Sequence, residues 1–147
     1  MTKQLRNVFI TITLVLITGT ALAAQGVHTP DKASPERKEI LDALRIPVER
    51  DLKQRIVFVV ENLNVAGTWA FVGGSPQGSD GGQPDYRHTP YAQAQKAGMF
   101  DNNFFALLKK TAGSWKVITY RIGCTDVCYA TWWHDHRAPK AIFPYTE

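Results

Sequence analysis

The residues best suited to chemistry gather toward the C-terminal end of the chain. Cys124 and Cys128 are its two cysteines, and His134, Asp135 and His136 follow closely. In an oxidising compartment two thiols join, so a Cys124–Cys128 disulfide is the expected state. Four residues apart in a regular helix, the Cα atoms sit near the permitted separation but the side chains are poorly aimed. The bond therefore requires a distorted turn, or a helix that starts after Cys124. Free thiols are one alternative. The other is a zinc or copper site made of Cys124, Cys128, His134 and His136, a donor set that suits tetrahedral zinc. The His-x-His step is tighter than the usual helical spacing, and oxidation of the thiols competes with it. No cofactor is expected.

For acid–base work the candidates are Asp126 and His88, with Asp85 and Asp101 behind them. A carboxylate enclosed in an apolar pocket has a raised pKa and acts as a base. Asp126 directly after Thr125 also reads as a carboxylate at a helix start, where free N–H groups welcome it. Nucleophile-elbow, metalloprotease, Walker and dinucleotide motifs do not occur in the chain after its first segment. Gly78-Ser79-Asp80-Gly81-Gly82 lacks the strand–helix setting that phosphate binding needs.

Aromatic residues suggest binding instead. Trp132 and Trp133 are adjacent, so on a helix they cannot both face inward, and one is expected to be partly exposed. With Tyr86, Arg87 and Tyr91 they are the candidate partner-binding residues, since interface energy concentrates in a few aromatics and arginines.

The elements that must hold these residues can be read from pattern. Ser34-Pro35-Glu36 is a helix start. Ile40, Leu41, Leu44 and Val48 follow at helical spacing, and Pro47 is expected to end the helix near Arg45 or kink it. The β-branched run from Arg55 to Val65 predicts a strand buried on both faces at first, and Ala66-Gly67 turns it into a second strand, Thr68–Val72, ended by Gly73-Gly74-Ser75-Pro76. A second hairpin pairs Asn103–Thr111 with Trp115–Ile122. In its last strand Trp115, Val117 and Thr119 should face one way, Lys116, Ile118 and Tyr120 the other. Between the hairpins lies a long glycine-rich loop, 73–98, with a short helix expected over Tyr91–Ala97. A final short helix is expected over Thr125–His134.

These elements define an α+β domain over residues 34–147: a helix packed on a four-stranded antiparallel meander, with a short C-terminal helix, in two layers. Cystatin-like and NTF2-like domains share that plan as fold analogies, and both house unrelated functions. Residues 24–33 are polar and expected to be flexible.

Four stretches carry a further likeness: Ile40-Leu41-Asp42-Ala43-Leu44-Arg45, Trp69-Ala70-Phe71-Val72, Ala106-Leu107-Leu108 with Trp115-Lys116-Val117, and Gly123-Cys124-Thr125-Asp126-Val127. On these residues the chain resembles a family of small, signal-bearing bacterial proteins of unassigned function. The resemblance implies export and a shared Gly-Cys-Thr-Asp-Val turn. It implies no activity.

Residues 1–23 read as a cleavable signal peptide. Lys3 and Arg6 form a positive start, Val8–Thr18 is apolar, and Ala21 and Ala23 suit signal peptidase. The apolar run is about 11 residues, against the roughly 20 that span a bilayer. No membrane span is expected after cleavage, and the mature protein should be periplasmic or secreted. The chain carries 17 Lys+Arg and 13 Asp+Glu, a formal +4 that falls to +2 without Lys3 and Arg6. That balance points to no nucleic-acid partner. The expected function is an extracytoplasmic binding or accessory protein, without catalysis, whose partner is an envelope protein or cell-wall component. The alternatives are a small secreted hydrolase or isomerase using Asp126 or His88, and a metal-binding protein.

Overall fold

The computed structural model describes residues 26–147. The signal-peptide reading of residues 1–23 lies outside that range. Helix α1 (Pro35–Leu52) opens where expected: the Ser34 hydroxyl accepts the Arg37 N–H at 3.2 Å, and Pro35 occupies a first-turn position where no helical N–H partner is needed. It does not end at Arg45. Pro47 lies inside the helix, which continues to Leu52 and stops at Lys53 in the left-handed conformation. A proline there removes one main-chain hydrogen bond. Val48 and Leu52, fully buried beyond it, offset the loss by extending the seam begun by Ile40 and Leu44.

The strands β1 (Ile56–Ala66), β2 (Trp69–Gly78), β3 (Phe104–Thr111) and β4 (Ser114–Ile122) form an antiparallel sheet in the order β1-β2-β3-β4. With α1 on one face this is the expected α+β meander. The interior of that layer joins Ile40, Leu44 and Val48 to Ile56, Leu63, Val65, Val72, Phe104, Leu108 and Trp115.

Two bulges change which side chains meet the helix. In β1 the pairing runs Val60↔Gly74 and then Asn62↔Gly73, so Glu61 is the extra residue. Ile56, Phe58 and Val60 face α1 before it, and Leu63 and Val65 after it. The first half of β1 is thus not buried on both faces: Val57 is 51% and Val59 40% exposed. In β4 the pairing skips Ile118, from Leu107↔Thr119 to Leu108↔Val117. The expected alternation therefore breaks, and Tyr120 joins Trp115 and Val117 on the helix side.

β2 does not end at Val72, and the glycine-rich loop does not begin at Gly73 as expected. The strand runs on through Gly73, Gly74, Ser75 and Pro76 to Gly78. Gly74 sits against the β1 bulge, where a Cβ would lie 2.0 Å from the Val59 carbonyl oxygen. Pairing with β3 ends at Gly74↔Phe104, so Pro76 points its missing N–H to a side with no neighbouring strand. Its carbonyl there accepts from the Asn102 amide at 3.2 Å.

The connection from β2 to β3 is held at several points. Asp85 exchanges two hydrogen bonds with the Gln54 side chain, at 2.8 and 2.9 Å. Helix α2 (Ala92–Lys96) falls within the expected Tyr91–Ala97. Phe100 packs edge-on against Tyr86 and also covers Gly123 so closely that a Cβ there would meet its ring at 2.0 Å. Of the stretch expected to be flexible, residues 26–33 are described. Within it His28 bonds Val65 in both directions, at 2.9 and 2.8 Å, and Pro30 is buried.

The edge of β1 is closed by side chains as well. The outward N–H of Ile56 donates to Glu49 and its carbonyl accepts from Arg45, at 3.0 and 3.2 Å. With the His28 bridge at the other end, part of the edge strand's exposed ladder is occupied by the chain itself.

The expected helix over Thr125–His134 is much shorter. Only Trp132–Asp135, α3, is helical, followed by a single-turn 3₁₀ helix at Lys140–Ile142. Cys124 is held elsewhere: its N–H donates to the Asn103 side chain at 2.9 Å, and its carbonyl accepts from the same amide at 2.8 Å. That clamp ties Cys124 to the start of β3 and keeps it out of a helix. The segment beyond it covers the face of the sheet opposite α1. Tyr129, Trp132, Ile142 and Phe143 bury against Phe71 and Leu107, forming a second apolar cluster that the two-layer expectation did not contain.

Candidate functional site

Cys124 and Cys128 are joined, with their Cα atoms 6.1 Å apart. Both thiols required by the zinc or copper reading are thereby consumed, which corrects that alternative. His134 and His136 stand at the end of α3, with His134 3.6 Å from Asp135. Among the described residues no three His, Cys, Asp or Glu side chains are grouped as a metal site would need.

The acid–base candidates do not converge. Asp126 is exposed in the disulfide loop, and His88, Asp85 and Asp101 are exposed on the β2–β3 connection. Asp85 forms a two-pronged pair with Arg87, with Nε and Nη2 at 2.9 and 2.6 Å. Those hydrogen bonds hold its carboxyl well below the usual carboxylate range. Among the described residues no charged side chain is buried. None of these carboxylates is enclosed by apolar groups.

Of the candidate partner-binding residues, Tyr86 is corrected outright. It is 1% exposed, and its hydroxyl bonds Asn102 at 2.5 Å. Burial pushes its pKa up to about 12. Tyr91 is half-buried against Phe100, and Arg87 is exposed but paired with Asp85. A second tyrosine is also shifted. Burial and a hydrogen bond to Asp51 raise Tyr120 to about 12, and Arg50 lies beside the same carboxylate at 3.1 Å. Both shifts are upward, so both neutral phenols stabilise the fold. Their contribution is complete below pH 10 and is lost as pH rises toward about 12. We expect alkaline unfolding in that window, followed by circular dichroism together with tyrosinate absorbance, and a higher midpoint in Tyr86→Phe. Tyrosines that titrate near pH 10 with no loss of structure would contradict it.

The tryptophan pair divides as adjacency demands. Trp132 is 5% exposed and packs on Tyr129, whereas Trp133 is only partly buried at the margin of the same cluster. The Lys140 ammonium lies 4.5 Å from the centre of the Trp133 ring. The Trp133 indole N–H and the Lys140 ammonium both donate to the Glu147 main-chain oxygen, at 3.0 and 3.4 Å.

On the same face of the sheet lies a group that sequence reasoning missed. Trp69 of β2 is opposite Lys109 of β3, which in turn is opposite Lys116 of β4. The Lys109 ammonium is 4.7 Å from the centre of the half-buried Trp69 ring. The signal was available: counting outward from the turn at Ala112-Gly113 places Thr111 opposite Ser114, and Lys109 opposite Lys116. On the other face, Glu39, Asp42, Gly113, Ser114 and Trp115 line an open groove. Its acids are already engaged, Asp42 by Lys38 at 2.5 Å and Glu39 by Lys110 at 3.7 Å.

Compared with protein-family models, with curated proteins and with solved structures, the chain matches none. Among the described residues no helix is long and apolar enough to cross a membrane.

Proposed function

We propose that this chain is an extracytoplasmic binding or accessory protein that recognises another envelope component, in first place an envelope protein, and that it catalyses no reaction. The observation that carries this reading is the C-terminal face. There the disulfide-bonded segment buries Trp132 but leaves Trp133 only partly buried, with a lysine over its ring. An aromatic held rigidly by a buried neighbour contributes contact area at little entropic cost. Export rests on the signal-like residues 1–23 and on the resemblance to signal-bearing bacterial proteins. The cystine agrees with an oxidising compartment.

The test uses the exported chain as bait in envelope extract, with Trp133→Ala beside the wild type. The expected result is a specific partner whose capture falls in the variant while the thermal midpoint is nearly unchanged. Capture indifferent to Trp133 would remove this face from the reading. A substrate turnover abolished by Asp126→Asn or His88→Gln would replace the proposal with the hydrolase or isomerase alternative.

A further inference from the structure

We propose that Trp69, Lys109 and Lys116 form a docking row for an acidic peptide segment of a partner protein. The inference rests on the binding-protein reading and supplies the chemistry of what is bound.

The charge of β2, β3 and β4 is one-sided, whereas β1 carries Glu61. β2 contains no charged residue, β3 contains Lys109 and Lys110, and β4 contains Lys116 and Arg121; none of the three contains an acid. Lys110 faces α1 and pairs with Glu39. Lys109 and Lys116 project from the opposite face, directly across from each other. Like charges in that arrangement repel and weaken a sheet. Among the described residues neither has a carboxylate within ion-pair distance, although Lys38, Arg50, Arg87 and Lys110 each do. An anionic group placed between Lys109 and Lys116 would turn the repulsion into two attractions.

The protein itself supplies the precedent for the occupant. At Trp133 and Lys140, the indole N–H and the ammonium converge on the main-chain oxygen of Glu147, so the precedent is for a peptide main-chain oxygen, the Glu147 side-chain carboxylate taking no part. Trp69 and Lys109 repeat the same pairing of indole and ammonium in the same apolar cluster. Among the described residues the Trp69 indole N–H donates to no protein group and is open to solvent, whereas the buried indole left without a partner is that of Trp115. A peptide offers what this row lacks: a main-chain oxygen for the indole and a carboxylate for each lysine. A sugar ring is less suited, because the Lys109 ammonium lies over the Trp69 ring that it would stack upon.

The experiment uses the full exported chain and a fluorescein-labelled synthetic peptide of alternating glutamate and glycine ending in tyrosine. Its counterpart has glutamine at each glutamate. Heparin and phosphatidylglycerol vesicles serve as non-peptide polyanions. We expect the glutamate peptide to bind, to weaken as salt rises, and to lose about tenfold or more in affinity in Lys109→Gln/Lys116→Gln. That variant should keep its thermal midpoint, or raise it at low salt, since the repulsion is gone. Equal binding of the glutamine peptide, unchanged binding by the double variant, or binding of heparin or vesicles in place of the peptide would each overturn the inference. So would a partner captured through Trp133 that the double variant still captures fully, an outcome that leaves the binding-protein reading intact.

Discussion

Trp132→Ala is expected to destabilise the protein by about 3–5 kcal/mol, the range for emptying a large aromatic site in a packed interior. Trp132 is 5% exposed and lies in the cluster that seals the outer face of the sheet, beside Tyr129, Phe71 and Phe143. Its removal would open a space bounded by strands and by a cystine-bound segment, neither of which can collapse freely. Trp133→Ala should cost less, about 1–2 kcal/mol, because its partly buried ring packs only at the margin of the cluster and otherwise contributes the bond to Glu147 and the contact with Lys140. Urea denaturation of the two single variants, with the slope checked for constancy, decides the matter. Equal large losses would make both tryptophans structural and move the search for a binding surface to Tyr91, Arg87 and the Trp69 row.

Gly74→Ala should be nearly as damaging, although it adds one methyl group. The new Cβ would lie 2.0 Å from the Val59 carbonyl oxygen and 3.1 Å from the Glu61 nitrogen, both main-chain atoms. No rotamer change can relieve such an overlap; the strands must separate at the bulge that sets the register of β1. The expected loss is about 3 kcal/mol or more, the tail reserved for such mechanisms. Gly26→Ala is the control, since a Cβ there has nothing within 4 Å. A Gly74→Ala variant as stable as the wild type would show that β1 and β2 can re-pair without the bulge.

One loss falls on a face of the sheet and the other between two of its strands. The face toward α1 is covered by that helix, with an open groove at the β3–β4 turn. The other face is only partly covered, and the segment covering it also displays Trp133. A surface built this way stays rigid while exposing aromatic and cationic groups, which reduces the entropy lost when a partner docks.

What the sequence determined by itself was what depends on neighbours in the chain. Ser34-Pro35 starts α1, Ala112-Gly113 turns β3 into β4, and the periodicity of Ile40, Leu44 and Val48 marks the buried seam, because capping, turn conformation and helical spacing are local. The two cysteines were also legible as a pair. Contact between distant segments decided the rest. Pro47 does not stop α1, because Val48 and Leu52 find burial against the sheet. Gly73 and Gly74 do not end β2, because Phe105 lies over the first and the bulge at Glu61 leaves no room for a side chain at the second. Ile118 is left without a partner by a bulge in the pairing with β3, which reverses the facing of Tyr120. Tyr86 reads as a loop aromatic and becomes interior only because Asn102 and Phe100 close over it. The short α3 follows from Asn103, far back in the chain, holding Cys124 by both main-chain groups. Burial is a property of the assembled layers, so local pattern could nominate Trp132 and Trp133 together, but only packing could assign one to the interior and leave the other at the surface.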